Sequence, residues 1–317
     1  MPEKAIGSDS ANKEIAMLVV VDTDIVNKLS RMPDFDELKV YLRNHCIQVA
    51  ASETVVKEIL ATANPAVRAN LSNTLLCLIE EYPLLASLPY QIKWGVHSFL
   101  SGKTCFKPFR AVRSDDIKEL LLKAEHLTNS QIKAIRQEAA NGINRWDEMH
   151  GNGRPNMQAV LEKNGIVPDA GDWMNSIYES EFIKEIVLGI VSNLTEKKEL
   201  IPRVSKYIEW NPICRCFLGQ LMLAIRRHGL EQQTFSSKKG PKWTDYYISA
   251  FVGITDCFVT DDTRLLRALR QHRELQSPPA RSWELRSLNE FIADLRDNLI
   301  LYSATNRTLE TWPSGEH

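Results

Sequence analysis

Six acidic residues lie where the chain leaves an apolar run or sits near the start of a helical one. Asp22 and Asp24 follow MLVVV, Glu58 lies in ETVVKEIL, Asp245 lies in WTDYYIS, and Asp261 and Asp262 follow the short run CFV. No His or Cys cluster accompanies them. The seven histidines show no ligand spacing and receive no catalytic role, and Cys214 and Cys216 form a lone C-x-C with no second pair at zinc spacing. Carboxylates without nitrogen or sulfur partners are hard oxygen donors, which favours Mg²⁺ or Mn²⁺ over Zn²⁺. Ionised carboxylates within a few ångströms of one another repel, and without a cation at least one would be driven to its protonated form. A divalent ion removes that conflict, deprotonates a water and stabilises the charge building on a phosphate, so the chemistry of such a cluster is phosphodiester hydrolysis. Each residue also has a plainer use. Asp22, Asp245 and Asp262 are good helix caps or first-turn acids, Glu58 fits a solvated helix face, and Asp24 fits a first turn.

The elements that must position these groups follow from the apolar pattern. Residues 16–21 form a continuous β-branched run, too short for a helix and apolar on both faces, as a buried parallel strand is. A short helix over 25–30, a longer one over 36–43 and a strand over 46–50 follow, and Ser52 and Thr54 are the candidate caps of a helix over 55–61. From 64 to 237 helical spacing recurs and no strand is evident, while 141–155 and 238–242 read as loops. The β/α alternation then returns: Thr244 as cap, a helix over 245–253, a strand over 257–259, a helix over 263–272, a strand near 283–285 and a closing helical stripe. The expected architecture is α/β, a parallel-sheet core with helices on both faces, split in sequence into 14–62 and 240–299 by an all-α insertion at 63–239, with flexible tails at 1–13 and 303–317. In such a sheet, ligands bind beyond the carboxyl ends of the strands, which is where Asp22 and the Asp261–Asp262 pair fall.

Composition narrows the class further. The 317 residues are 44% hydrophobic and 25% charged, which excludes collagen-like and wholly disordered chains. With 39 basic and 40 acidic residues, total charge draws the chain to neither nucleic acid nor anionic membrane, and any polyanion site must be a local patch. No apolar run is long enough to span a bilayer and no signal peptide is evident, so a cytoplasmic address without membrane association is expected. The six cysteines lie in apolar segments, the pattern of reduced, buried thiols rather than a disulfide scaffold.

Taken together, MLVVVDTDIVNKL (17–29), ETVVKEIL (53–60) and WTDYYISAFVGITDCFVTDDTRLL (243–266) resemble the PIN-domain nucleases: an opening strand with Asp-Thr, a Glu-bearing helix, a third acidic position, and a Thr-x-Asp strand end. The resemblance covers about a third of the chain. It implies a PIN-like fold and a metal-dependent endoribonuclease acting on single-stranded or loop RNA, with Asp22, Glu58, Asp245 and Asp262 holding Mg²⁺ or Mn²⁺. Thr23 and Thr260 would serve as orienting groups, and Asp24 or Asp261 as substitutes for a fifth acid where Arg264 stands. By analogy with the family it also implies a toxin or defence context, an inhibitory protein partner and a homodimer. Lys238, Lys239 and Lys242, and an arginine series from Arg264 and Arg267 onward, are candidates for phosphate contacts without sequence readout. Trp243, Tyr246 and Tyr247 are candidates for base stacking. Two rivals remain. D-T-D-I-V also resembles the opening motif of haloacid dehalogenase-like phosphohydrolases, which requires both Asp22 and Asp24, and a catalytically inactive PIN-like scaffold would bind without cutting.

Overall fold

In a computed structural model of the protein the described residues are 17–79, 84–111, 114–137, 178–229, 243–275 and 284–297. The tails at 1–13 and 303–317, the loop at 141–155 and Lys238, Lys239 and Lys242 lie outside them. The chain begins with β1 (Met17–Val21), α1 (Thr23–Leu29), α2 (Phe35–Asn44), β2 (Ile47–Ala50) and α3 (Glu53–Leu60). Helices α4 (Pro65–Leu78), α5 (Leu88–Leu100), α6 (Ser114–Leu122), α7 (Glu181–Ile190), α8 (Val204–Trp210) and α9 (Pro212–Gly229) follow. Then come α10 (Trp243–Ser249), a 3₁₀ turn at Ala250–Ile254, β3 (Cys257–Val259), α11 (Thr263–Leu275), β4 (Glu284–Arg286) and α12 (Leu288–Arg296). The class is α/β.

The four strands form one parallel sheet in the order β2-β1-β3-β4, with Val19 opposite both Val49 and Cys257. All five side chains of β1 and all three of β3 are buried, which is why both read as unbroken apolar runs. The N-terminal end of β3 is fixed to β1 by polar contacts: the Leu18 amide donates to Asp256 Oδ2 at 2.8 Å, and the Thr255 hydroxyl donates to the Leu18 carbonyl at 2.8 Å.

Several expectations need correction. Ser52 occupies the cap position of α3, but its side chain makes no capping bond, and the helix starts at Glu53. Thr244 lies inside α10 rather than before it. The helix expected over 245–253 is two pieces, α10 and a 3₁₀ turn, because the turn must pass close to α9: a Cβ on Gly253 would collide with the Pro212 carbonyl. Among the described residues of 64–237 there is no multi-residue strand, yet the backbone does pair. Leu85 bridges Ser52 in parallel and Arg110 in antiparallel fashion, with Leu85 N donating to the Ala51 carbonyl at 3.0 Å and Ala111 N donating to the Leu84 carbonyl at 2.8 Å. These pairings lie just past the carboxyl end of β2 and carry backbone hydrogen bonding outward from it.

The helical block does not pack apart from the sheet. α4 lies against α1 and α3, and α9 lies against α10, α11 and the 250–254 turn. Buried side chains from Val19, Ile59, Leu75, Ile92, Tyr207, Met222, Phe258 and Leu269 belong to one continuous apolar cluster. No helix among the described residues is long and apolar enough to cross a membrane.

Candidate active site

The strand order reverses direction at β1, whose two neighbours are β2 and β3, so the crevice between the carboxyl ends of β1 and β3 is the switch point of the sheet. Asp22 opens α1 there and is only 7% exposed. Its Oδ1 accepts the Ile25 amide at 3.0 Å, which caps the helix, and its Oδ2 accepts the hydroxyl of Thr260, a fully buried residue at the end of β3. Next to it the Thr23 hydroxyl donates to Glu58 Oε2 on α3. Burial pushes the Asp22 carboxyl up to about 6, and the charges of Asp24 and Glu58 add to the rise. The Thr260 and Ile25 hydrogen bonds, which favour the ionised form, limit it.

The remaining acids are placed as follows. Asp262 Oδ1 caps α11, accepting Arg264 N at 2.8 Å and Leu265 N at 3.2 Å, while its Oδ2 faces the Arg264 guanidinium at 3.4 Å. Its own amide donates to Thr260 Oγ1 at 3.2 Å, which joins it to the Asp22 network. Asp245 is half-buried on α10, the helix packed against α3 and leading through the 250–254 turn into β3. Asp24 is exposed in the first turn of α1. Asp261 has both oxygens engaged: Oδ1 accepts the Leu288 amide at 2.9 Å and Oδ2 pairs with Lys28 at 2.6 Å, so it fastens α12 and α1 to the crevice. Among the described residues no three His, Cys, Asp or Glu side chains stand, as oriented, where they could hold one ion. The structure therefore gathers Asp22, Thr23, Glu58, Thr260 and the Asp262 backbone, while Asp245 stands on a helix that packs against α3.

Lys28 is the residue the sequence reading missed. Its ammonium, raised above the usual lysine range mainly by the Asp261 hydrogen bond and also by the Asp24 and Asp22 charges, places a cation beside the crevice. The signal was its position four residues after Asp24, one turn along α1. On α11, Arg267 and Arg270 border a shallow groove with Thr263, Leu266, Gln271 and Glu274, and Arg270 also lies within the field of Glu290. That face carries both signs of charge. Tyr246 is buried, and Tyr247 packs edge-on against Phe217 at 5.9 Å. His272 is fully buried and its pKa falls to about 3, chiefly through burial and then through the Arg215 charge, which keeps it neutral. All six cysteines are free thiols: Cys214, Cys216 and Cys257 are buried as expected, whereas Cys77 and Cys105 are exposed. Compared with known families, curated proteins and solved structures, the chain matches none.

Proposed function

We propose that the protein is a PIN-like, metal-dependent endoribonuclease that hydrolyses RNA phosphodiester bonds with Mg²⁺ or Mn²⁺. The observation that carries this reading is Asp22: a buried carboxylate at the switch point of a parallel sheet, pushed up by burial and by the acids beside it, and oriented by a buried threonine from the neighbouring strand. The donor set fits a hard cation, because it consists of hydroxyls and of carboxylates whose mutual repulsion a cation relieves. Asp22 and Glu58 would hold the ion from the two sides of Thr23, with Asp245 and Asp262 turning in from α10 and from the cap of α11. A bound divalent ion supplies Lewis acidity, readying a water and balancing charge on the scissile phosphate. Thr260 and Thr23 keep the two carboxylates in place, and Lys28 adds positive charge at the rim where a phosphate approaches. Family analogy alone supplies the inhibitory partner, the homodimer and the toxin or defence role.

Asp22→Asn and Asp262→Asn are expected to abolish EDTA-sensitive cleavage of single-stranded RNA while circular dichroism shows a folded chain. Cleavage at the parental rate in both variants would refute the assignment. Asp24, exposed in the first turn of α1, is expected to matter less: Asp24→Asn should retain most activity, whereas a phosphohydrolase using Asp22 and Asp24 as a pair would lose it in either variant.

A further inference from the structure

From Tyr82 to Ser114 the chain contains no Asp or Glu, although it carries 40 of them in 317 residues, and it contains Lys93, Lys103, Lys107, Arg110 and Arg113. Aromatic residues are interleaved with these cations. Tyr90 and Trp94, one helical turn apart on α5, are 50% and 48% exposed, which is unusual for side chains of this size. The Trp94 ring leans against Phe109 with centroids 5.9 Å apart, and Lys103, Lys107 and Arg110 are exposed on the adjoining segment.

This surface is held rigidly. The buried Gln91 side chain donates to the Phe109 carbonyl at 2.7 Å and accepts the Phe109 amide at 2.9 Å, which binds the 103–110 segment to the first turns of α5. Beneath, a Cβ on Gly95 would lie 2.7 Å from Asn211 Nδ2 and 2.8 Å from the Tyr207 hydroxyl, so any larger residue there would have to displace these two buried, hydrogen-bonded side chains. The surface also has a fixed relation to the carboxylate crevice. Leu85 runs parallel to Ser52 just past the end of β2, so α5 starts at the carboxyl end of the sheet, the end that bears Asp22 and Glu58. Arg110 pairs with Leu85 on the outer side, and three strand spacings place it about 15 Å from β1 across the sheet. Glu196 pairs with α5 at His97, 3.5 Å away and about one turn beyond Trp94.

We infer that Tyr90, Trp94, Phe109, Lys103, Lys107 and Arg110 form a platform for single-stranded RNA that leads the strand toward the Asp22 crevice, an inference that rests on the nuclease reading. Exposed aromatic faces stack unpaired bases with little regard to sequence, and flanking cations follow the phosphates. A duplex hides its base faces and cannot use the rings. An apolar protein partner would have to strip water from exposed cations while supplying no acid to meet them. The combination therefore selects a flexible polyanion with exposed bases.

The test is anisotropy of a labelled oligouridylate with the full chain in EDTA, where cutting is suppressed. Trp94→Ala and Tyr90→Ala should each weaken binding about 5- to 100-fold, and Trp94→Phe should restore most of it. Lys107→Gln and Arg110→Gln should each reduce the slope of log affinity against log salt by about 0.7. Parental affinity in Trp94→Ala and Arg110→Gln, or equal affinity for a duplex that ignores Trp94→Ala, overturns the platform. Self-association of the parent that Trp94→Ala abolishes assigns the face to a second copy and overturns it as well. Cleavage measured separately with Mn²⁺ distinguishes the two readings: Trp94-dependent binding without any cutting upholds the platform and removes the nuclease, whereas cutting by a Trp94→Ala variant of parental affinity does the reverse.

Discussion

Asp22 is a helix cap and a strained charge at once, and the two roles separate with pH. A carboxyl that titrates at 3.8 in the open chain and at about 6 in the folded one holds a proton after folding that the unfolded chain has already lost. Its contribution to stability is therefore largest below pH 4, declines as pH rises toward 6, and stays at that lower level above. Asp22→Asn keeps an acceptor for the Ile25 amide and removes the buried charge, so in EDTA at pH 7.5 it should stabilise the fold by about 2 kcal/mol, an advantage that vanishes below pH 4. Thermal unfolding at the two pH values measures this. Added Mg²⁺ or Mn²⁺ should raise the parent's melting temperature above pH 6 and leave that of Asp22→Asn unchanged. Thr260→Val keeps the shape and deletes the donor to the ionised carboxylate, so the titration of Asp22, followed by carboxyl NMR, should move up by about one unit.

At the level of elements, the strands were legible because a buried parallel strand needs apolar residues on both faces, and MLVVV and CFV can satisfy nothing else. The convergence of Asp22 and Thr260 was legible for the same reason, since residues that end adjacent parallel strands share one crevice. What stayed hidden depends on contacts distant in sequence. The 250–254 turn lies against the Pro212 carbonyl at Gly253, a contact between segments far apart in sequence, the pairing of Leu85 involves one residue per partner and leaves no alternation to read, and Ser52 has a capping residue's identity without its bond. The acid-free stretch after Tyr82 was visible in the sequence, but its meaning depends on which of its rings are exposed. Gly253 offers a direct check on these couplings. Gly253→Ala should lower stability by about 2 kcal/mol or more in denaturant titration, because the obstacle is backbone and cannot rotate away.

For the molecule as a whole, the continuity of the apolar cluster matters more than the interruption of the sheet in sequence. Leu71 and Leu75 of α4 and Leu218 and Met222 of α9 belong to the same cluster as Val19 and Phe258. Removing 63–239 and joining the flanking segments would strip the sheet of α4 and α9 and uncover large apolar side chains, so the shortened chain should show no cooperative thermal transition. The intact chain should unfold in one step by fluorescence and circular dichroism together. Two separate transitions, reported differently by the two probes, would mean that the helical block has a core of its own.

The hydrogen bond between Thr260 and Asp22 spans 238 positions. At ordinary rates of synthesis a ribosome needs on the order of tens of seconds to proceed from one strand to the other. Throughout that interval β1 has a partner on one side only, because β3 does not yet exist to occupy the other. A nascent chain thus carries an open apolar strand edge and half a crevice, a natural substrate for chaperones, and its acids acquire their final neighbours only once β3 has been made.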